Sequence, residues 1–360
     1  MKLQYPFFKL TLLASLLSSF AAHAIAQQPS PPRHIFLTLS EPSRATLYPE
    51  IIYAGCIVPQ WDRGYLLHLE INKDSALVTM YDRNGKKVLE ARPGPPNAAK
   101  FSLRTVAVTH AGGILAAGGG IMTDGSLERF IARTDPAGRT VQSLSTGRFL
   151  AYYLCEASDG TVWALGLNDD FHVSRDAKQN ILSHFSFERG LLGSYMALDS
   201  FAKVSDFFEQ IANPGRSYIS CRKDRISVYL APAAQYIQLD PGTQRLSRWN
   251  VDQSLVVASK SLGFAVTEEG KIFAALADYS GSEGKRRHGL YELKATHGSL
   301  IASVIPVEGT VTVFDPNDGV PDCTFERLWD ADGNFLVLTR HGEPGAFLWA
   351  YVLASTTFPD

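Results

Sequence analysis

The sequence has little cysteine, few charged residues and almost no helical periodicity. Four cysteines occur in 360 residues, and charged side chains make up 19% of the chain. Neither sign of charge dominates, because 34 basic residues stand against 36 acidic ones. Disordered chains and nucleic-acid-binding proteins usually carry a strong charge imbalance, so the composition argues against both classes. Glycine and proline, at 29 and 19 residues, are too few for a collagen-like or low-complexity chain.

The sequence also lacks the common catalytic and phosphate-binding motifs. It contains no G-x-S-x-G elbow, no G-x-x-x-x-G-K-[ST] loop and no G-x-G-x-x-G after an apolar run. The nine histidines are scattered, and neither C-x-x-C nor H-x-x-x-H occurs, so no zinc site is predicted. Gly118-Gly119-Gly120 is interpreted as a flexible loop between strands. No residue is assigned a catalytic role on this evidence.

Residues 1–26 have the organisation of a secretory signal peptide. Lys2 and Lys9 supply the positive start, residues 10–22 are mostly apolar, and Ala24-Ile25-Ala26 is a small-x-small cleavage site. The alternative is a retained membrane anchor, but the apolar stretch is short and interrupted by serines. We therefore expect export to the periplasm or beyond, with no membrane span left after the signal is removed.

The rest of the chain alternates short apolar runs with glycine or aspartate turns, the pattern of strands and hairpins. One hairpin recurs at roughly 45 to 65 residue intervals, with a weaker copy over 218–230 that has no turn glycine. A second hairpin follows in each repeat, built around an aspartate turn that joins the third and fourth strands. The turn glycines are Gly64, Gly112, Gly160, Gly270 and Gly333, and the turn aspartates are Asp82, Asp135, Asp176 and Asp240.

Two linked hairpins form a four-stranded meander, the size of a propeller blade. The repeats predict an all-β fold, a single six-bladed β-propeller of four-stranded antiparallel blades over residues 50–360. A strand near 35–39, within the N-terminal segment 27–49, would complete the last blade and close the ring. The period and the turn types resemble those of NHL-repeat propellers among exported bacterial proteins. The six units are expected at about 50–95, 100–146, 148–188, 215–255, 258–310 and 320–356.

The longest interruption of the repeat is residues 189–214. Its apolar residues, among them Leu192, Met196 and Phe207, recur at spacings compatible with one amphipathic helix. We expect a short helical insertion lying on one face of the ring. It would act as a lid over a site or cover exposed apolar surface.

The four cysteines are even in number, which in an oxidising compartment predicts disulfides. Each lies on or near the innermost strand of its predicted blade. Because the first and sixth blades would be neighbours in a closed ring, as the third and fourth are in sequence, we favour Cys56–Cys323 and Cys155–Cys221. Four buried thiols are the alternative.

Ligands of propellers usually meet the ring near its axis, where the innermost strands converge. Charged residues on such strands are costly to bury unless they are paired or hydrated. They predict either a site for a carboxylate or sugar or mutual salt bridges within the channel. The candidates are Arg104, Tyr152, Glu156, Arg222, Glu326 and Arg327.

The sequence favours an exported, non-catalytic binding or scaffolding protein, expected to be a monomer, that presents one face or its axial pocket to a peptide, glycan or partner protein. No cofactor is expected. The alternative is an enzyme resembling gluconolactonase-type propellers, which implies one divalent metal such as calcium and carboxylate ligands such as Glu156 and Glu326. A quinone-cofactor dehydrogenase is a third possibility, but the five tryptophans follow no common blade position.

Overall fold

A computed structural model describes most of the strand-forming part of the chain. The described residues are 60–71, 76–82, 86–168, 178–201, 217–222, 225–230, 233–251, 259–266, 272–278, 287–296, 299–303, 324–331, 334–341 and 350–356. The predicted signal peptide, the segment 27–49, Cys56 and Cys323 lie outside them.

Antiparallel meanders account for nearly all of the described chain. We call them blades 1 to 6 in chain order; the first five have four strands each and the sixth has three. The strands of the first three blades are β1 (Gln60–Asp62), β2 (Tyr65–Ile71), β3 (Ala76–Tyr81), β4 (Lys87–Ala91); β5 (Ala98–Val108), β6 (Ile114–Met122), β7 (Leu127–Thr134), β8 (Thr140–Gly147); and β9 (Phe149–Glu156), β10 (Val162–Asn168), β11 (Asn180–Ser186), β12 (Gly190–Ala197).

The same order of strands continues through the second half of the chain. Blades 4 and 5 are joined into one eight-stranded sheet, because their outermost strands pair in parallel at Asn250–Ser299 and Val251–Leu300. The strands of the last three blades are β13 (Tyr218–Arg222), β14 (Arg225–Leu230), β15 (Gln235–Asp240), β16 (Arg245–Val251); β17 (Ser259–Val266), β18 (Ile272–Asp278), β19 (Arg287–Thr296), β20 (Ser299–Ser303); and β21 (Thr324–Ala331), β22 (Asn334–His341), β23 (Ala350–Thr356).

The blades are arranged as a propeller. The first strand of each blade contacts the first strand of the next, from β1 to β5, β9, β13, β17 and β21. The first strands therefore line a common axis, and the later strands of each blade extend outward from it. This confirms the predicted all-β propeller fold. Closure of six blades by a strand near 35–39 stays a prediction, because that strand lies outside the described residues.

The hydrophobic core lies between consecutive blades. Separate apolar clusters fill the spaces between blades 1 and 2, 2 and 3, 3 and 4, and 4 and 5. The second and third strands of a blade are therefore covered on both faces, as Phe130 and Ile131 of β7 show, since they pack into different clusters. Strands buried on both faces read as continuous apolar runs rather than as strict alternation. This explains the run Ile114-Leu115-Ala116-Ala117, which is almost fully buried.

The prediction of an amphipathic helix over 189–214 is wrong for residues 189–201, the part of that segment that the structure describes. Residues Gly190–Ala197 form β12, the outermost strand of blade 3, and only Leu198–Ser200 adopt a single 3-10 turn. No helix in the described ranges is long and apolar enough to cross a membrane. The helical spacing misled because Met196 is buried near the end of a strand that is otherwise partly exposed.

The predicted hairpins are confirmed for most blades. In the turn between β7 and β8, Oδ1 of Asp135 accepts hydrogen bonds from the backbone N–H groups of Ala137 and Arg139, at 3.0 and 2.9 Å. In the turn after β15, Oδ1 of Asp240 accepts from the N–H of Gly242 at 2.9 Å. Asp176 lies outside the described residues. Because β10 ends at Asn168 and β11 begins at Asn180, the chain between them joins the second and third strands of blade 3, and the predicted link between a third and a fourth strand is wrong there.

Candidate functional site

The innermost strands of four blades carry a β-bulge at a comparable position. In blades 2 and 3 the register places one extra residue, Arg104 and Tyr152, between two consecutive residues of the paired second strand. In blades 5 and 6 the extra residues are Leu262 and Glu326. A bulge leaves the extra residue outside the regular pairing and re-aims its side chain, and such bulges are frequent next to functional sites.

A glycine on the second strand makes room for the bulge in blades 2 and 3. A Cβ added to Gly118 would lie 1.9 Å from the carbonyl oxygen of Ser102, and one added to Gly166 would lie 2.1 Å from that of Leu150. The inner strand can approach this closely only because glycine has no side chain. The interpretation of Gly118-Gly119-Gly120 as a loop is therefore wrong, since all three lie within β6.

The six axial candidates lie at two levels of the innermost strands. Arg104, Tyr152 and Glu326 occupy bulges, and Arg327 follows Glu326 in β21. Glu156 and Arg222 instead end β9 and β13, at the turn into the second strand. The four residues from Tyr152 to Glu156 span about 13 Å of extended chain, so the levels are well separated.

At the bulge level, Arg104 is exposed and Tyr152 is half-buried, although their neighbours on the strands are mostly buried. Within the described ranges Arg104 makes no hydrogen bond or ion pair. Arg104 is therefore an exposed arginine on an innermost strand. It can donate a bidentate pair of hydrogen bonds to a carboxylate or to sugar hydroxyls.

At the other level, the strand ends of four blades bring charged residues together. We call this group the axial cluster: Asp62 and Arg63 of blade 1, His110 of blade 2, Glu156 of blade 3 and Arg222 of blade 4. Four of its members lie at the end of a first strand or within two residues of it, and Arg63 opens the turn after β1.

Glu156 is the most fully paired residue of the axial cluster. Its side chain is 5% exposed, and Oε1 lies 2.6 Å from Nη2 of Arg133. Oε2 accepts hydrogen bonds from the backbone N–H of His110 at 2.5 Å and from Nδ1 of its ring at 2.9 Å. Arg133 also donates to the carbonyl of Gly160 at 2.6 Å. Glu156 thus takes part in a salt bridge that ties blade 2 to blade 3, one of the two roles expected for the axial charges.

Arg63 is held against the backbones of two other blades. Its Nε donates to the carbonyl of Val108 at 3.1 Å, and its Nη2 donates to the carbonyl of Glu156 at 3.0 Å. Arg63 has φ of 47° and the following Gly64 has φ of 85°. Both values are positive, as in the type I′ turn of a two-residue hairpin, where asparagine and glycine are the favoured residues. An arginine here is conformationally costly, and its two hydrogen bonds offset that cost.

Asp62 is half-buried as a residue, but its carboxyl group is enclosed. Burial raises its pKa, partly offset by the hydrogen bond from the N–H of Val108 at 2.7 Å and by the positive charges of Arg63, Arg222 and His110. Arg222, at the end of β13, is thus near enough for its charge to act on the Asp62 carboxyl group.

The predicted disulfide Cys155–Cys221 is present, with Cα atoms 5.5 Å apart. It joins β9 to β13 one residue before Glu156 and Arg222. A disulfide is typical of proteins in oxidising compartments, which fits an extracellular or periplasmic protein. Cys56 and Cys323 lie outside the described residues, and their pairing stays a prediction.

A metal site is not found in the described ranges, where no group of three or more histidine, cysteine, aspartate and glutamate residues could hold an ion. Both oxygens of Glu156 already accept hydrogen bonds from cationic or N–H donors, an arrangement that does not suit a metal ligand. Glu326, the second carboxylate named for the gluconolactonase-like alternative, lies on β21.

No family model and no curated protein matches the chain. Several solved structures are similar to it at low identity. The β-propeller domain of the trilobed protease from Pyrococcus furiosus is 10% identical, over 80% of this chain and 78% of that one, with a TM-score of 0.39. The PQQ-bound aldose sugar dehydrogenase from Streptomyces coelicolor is 12% identical, over 91% and 100%, with a TM-score of 0.40. TolB from Acinetobacter baumannii is 11% identical, over 82% and 64%, with a TM-score of 0.39. A shared activity does not follow from likeness at this level.

Sequence reasoning named Glu156 and Arg222 but missed the partners that surround them. Asp62 and Arg63, beside the turn glycine Gly64, and His110 were not among the axial candidates. One signal was available: Asp62, His110, Glu156 and Arg222 all stand close to the first turn of their blades. Aligning the blades on that turn would have placed the four residues at one level.

Proposed function

We propose that this protein is an exported, non-catalytic binding propeller whose axial channel receives a segment of a peptide, a glycan or a partner protein. The observation that supports it best is the set of bulges on the innermost strands, with the exposed Arg104 and the half-buried Tyr152 in equivalent places. Glu326 occupies the corresponding bulge of blade 6.

The channel offers the chemistry that such a ligand needs. Arginine donates paired hydrogen bonds to carboxylates and hydroxyls, and tyrosine offers an aromatic face with a polar end. Glu326 and Arg327 would add a second pair of opposite charges on β21. The salt bridge between Glu156 and Arg133 joins blades 2 and 3 below the bulges and would stiffen the channel wall. A rigid, preformed wall lowers the entropy lost on binding.

Export is the second part of the proposal. Residues 1–26 would direct the chain across the membrane and be removed, and the Cys155–Cys221 disulfide would then form in an oxidising compartment. N-terminal sequencing of the protein secreted by its own host tests this directly. We expect a mature terminus after Ala24 or Ala26.

The binding function is tested on peptide and glycan arrays with the mature protein. Arg104→Gln and Tyr152→Phe should each abolish or strongly weaken the signal of the best ligand. Arg245→Gln, a change at an exposed arginine of the outermost strand β16, is the matched control and should leave that signal unchanged. A ligand that binds all three variants equally would contradict the axial channel as its site. Turnover of a lactone or ester by the pure protein would contradict the non-catalytic function.

A further inference from the structure

We propose that the end of the axis opposite the bulges carries a separate site for a carboxylate, formed by Arg63 and His110. The site goes beyond the channel function above, because it uses none of the bulge residues. Its ligand would be a carboxylate group on an exported peptide or on an acidic sugar.

Arg63 supplies the main contact because its guanidinium is fixed but not saturated. Two of the five N–H donors of an arginine bind the carbonyls of Val108 and Glu156. The other three have no partner in the part of the chain that the structure describes, and Arg63 is an exposed residue. The side chain is therefore held by backbone atoms of two other blades although the residue as a whole is exposed. Such preorganisation reduces the entropy lost when an anion is bound.

His110 lies beside Arg63 because the two residues share the same partner. Nδ1 of His110 lies 2.9 Å from Oε2 of Glu156, and Nη2 of Arg63 lies 3.0 Å from the carbonyl oxygen of Glu156. The His110 side chain is 43% exposed. With Nδ1 turned to Glu156, Nε2 is the nitrogen left to face a ligand, and it donates a hydrogen bond when the ring is protonated.

The charges around these two residues favour an anion. Three guanidinium groups, those of Arg63, Arg133 and Arg222, stand against the two carboxylates of Asp62 and Glu156. Glu156 is occupied by Arg133 and His110, and Asp62 by the N–H of Val108. When the His110 ring is protonated, an incoming carboxylate therefore meets donors rather than open acceptors.

The backbone at Arg63 gives a second reason to assign it a ligand. A non-glycine residue with positive φ costs free energy, and such costs are concentrated at functional sites. Asparagine would fit the turn better than arginine. Exchange of Arg63 for asparagine therefore keeps a residue suited to the turn and removes the guanidinium, together with its hydrogen bonds to Val108 and Glu156. A urea unfolding curve of the variant shows whether the loss of these two bonds alters the fold.

The test is isothermal titration at low ionic strength with two pairs of probes. N-acetylglycine has a carboxylate where its amide has a neutral group. Glucuronate likewise has a carboxylate at C6, where glucose has a hydroxymethyl group. We expect both carboxylates to bind and both neutral partners to fail. If N-acetylglycine alone binds, the source is a peptide C-terminus; if glucuronate alone binds, it is an acidic sugar. Either result supports the site.

The variants assign the binding to its residues. Arg63→Asn should weaken carboxylate binding by about 10- to 100-fold, the usual value of a charge-assisted contact. His110→Asn, which keeps a donor near the Nδ1 position, should weaken it less. Arg139→Asn, at an exposed arginine in another turn, should leave it unchanged.

The proposal is overturned if neither carboxylate binds at a concentration of about 10 mM. A Kd above that concentration corresponds to a binding free energy of less than about 3 kcal/mol. It is also overturned if acid and neutral partners bind equally, or if Arg63→Asn binds as the parent does. Loss of binding in Arg104→Gln but not in Arg63→Asn would remove this site while leaving the channel function standing.

Discussion

The disulfide between Cys155 and Cys221 joins the innermost strands of blades 3 and 4, and each cysteine directly precedes a charged residue of the axial cluster. Cys155 is also part of the apolar cluster between these blades, with Trp163 and Ile237. The bond thus lies where the core meets the axis. It fixes the separation of two strand ends that have no backbone hydrogen bonds to each other.

Removal of this disulfide should lower stability substantially. The bond closes a segment with a sequence separation of 66 residues, for which the loop-entropy estimate is about 4 kcal/mol. Urea unfolding of the Cys155→Ala, Cys221→Ala double variant, beside the oxidised parent, measures the loss. Reductant should then destabilise the double variant less than it destabilises the oxidised parent, and an equal effect of reductant on the two proteins would assign the loss elsewhere.

Intact-mass analysis checks the remaining cysteines. The oxidised mature protein should be lighter than the reduced one by the mass of two hydrogens for Cys155–Cys221. The predicted Cys56–Cys323 bond would double that difference. Two alkylatable thiols under denaturing, non-reducing conditions would show that the second bond is absent.

Glu156→Gln should destabilise the fold. The exchange leaves the guanidinium of Arg133, whose side chain is 20% exposed, without its charge partner, and breaking a buried pair in this way costs about 3–5 kcal/mol. The matched variant is Arg133→Met, and the double variant closes a mutant cycle by thermal or urea unfolding. The double variant should recover part of the loss. Strictly additive losses would contradict the salt bridge between the blades.

Gly118→Ala should be severely destabilising, by about 3 kcal/mol or more, because the added methyl group would meet the backbone of the inner strand. Gly242→Ala is the control. Its added methyl group meets only Oδ1 of Asp240 at 3.3 Å, and its φ lies outside the positive range. A similar small effect of both substitutions on the urea midpoint would show that the β5 bulge does not require glycine opposite it.

His68 should make the protein less stable in acid. The residue is 4% exposed, and burial lowers its pKa from 6.5 to about 4. The unfolded chain therefore takes up a proton before the native protein does, so the free energy of unfolding falls as pH drops from 6.5 toward 4. The full loss is about 3 kcal/mol.

His68→Gln removes this titration, so its unfolding free energy should vary less between pH 7 and pH 4 than that of the parent. Urea unfolding across this range measures the difference. Equal pH dependence in the two proteins would show that other groups cause the acid sensitivity.

Periodicity and turn chemistry were enough to predict the blades. Gly112, Gly160 and Asp135 recur because each turn needs a residue that tolerates positive φ or accepts backbone hydrogen bonds, a local requirement that the sequence states directly. The wrong helix over β12 has a local cause too. An outermost strand is covered on one side only, so its few apolar residues also fitted a helical spacing.

The sequence by itself determined the strands, the turns and the neighbouring inner-strand positions of Cys155 and Cys221, because each depends on residues close together in the chain or on the order of the repeats. Only the tertiary structure decided which charges meet. Arg133 pairs with Glu156, and Arg63 reaches the carbonyls of blades 2 and 3, across separations of up to 93 residues. Such contacts depend on how the blades twist and pack around the axis, and no local pattern of residues records that geometry.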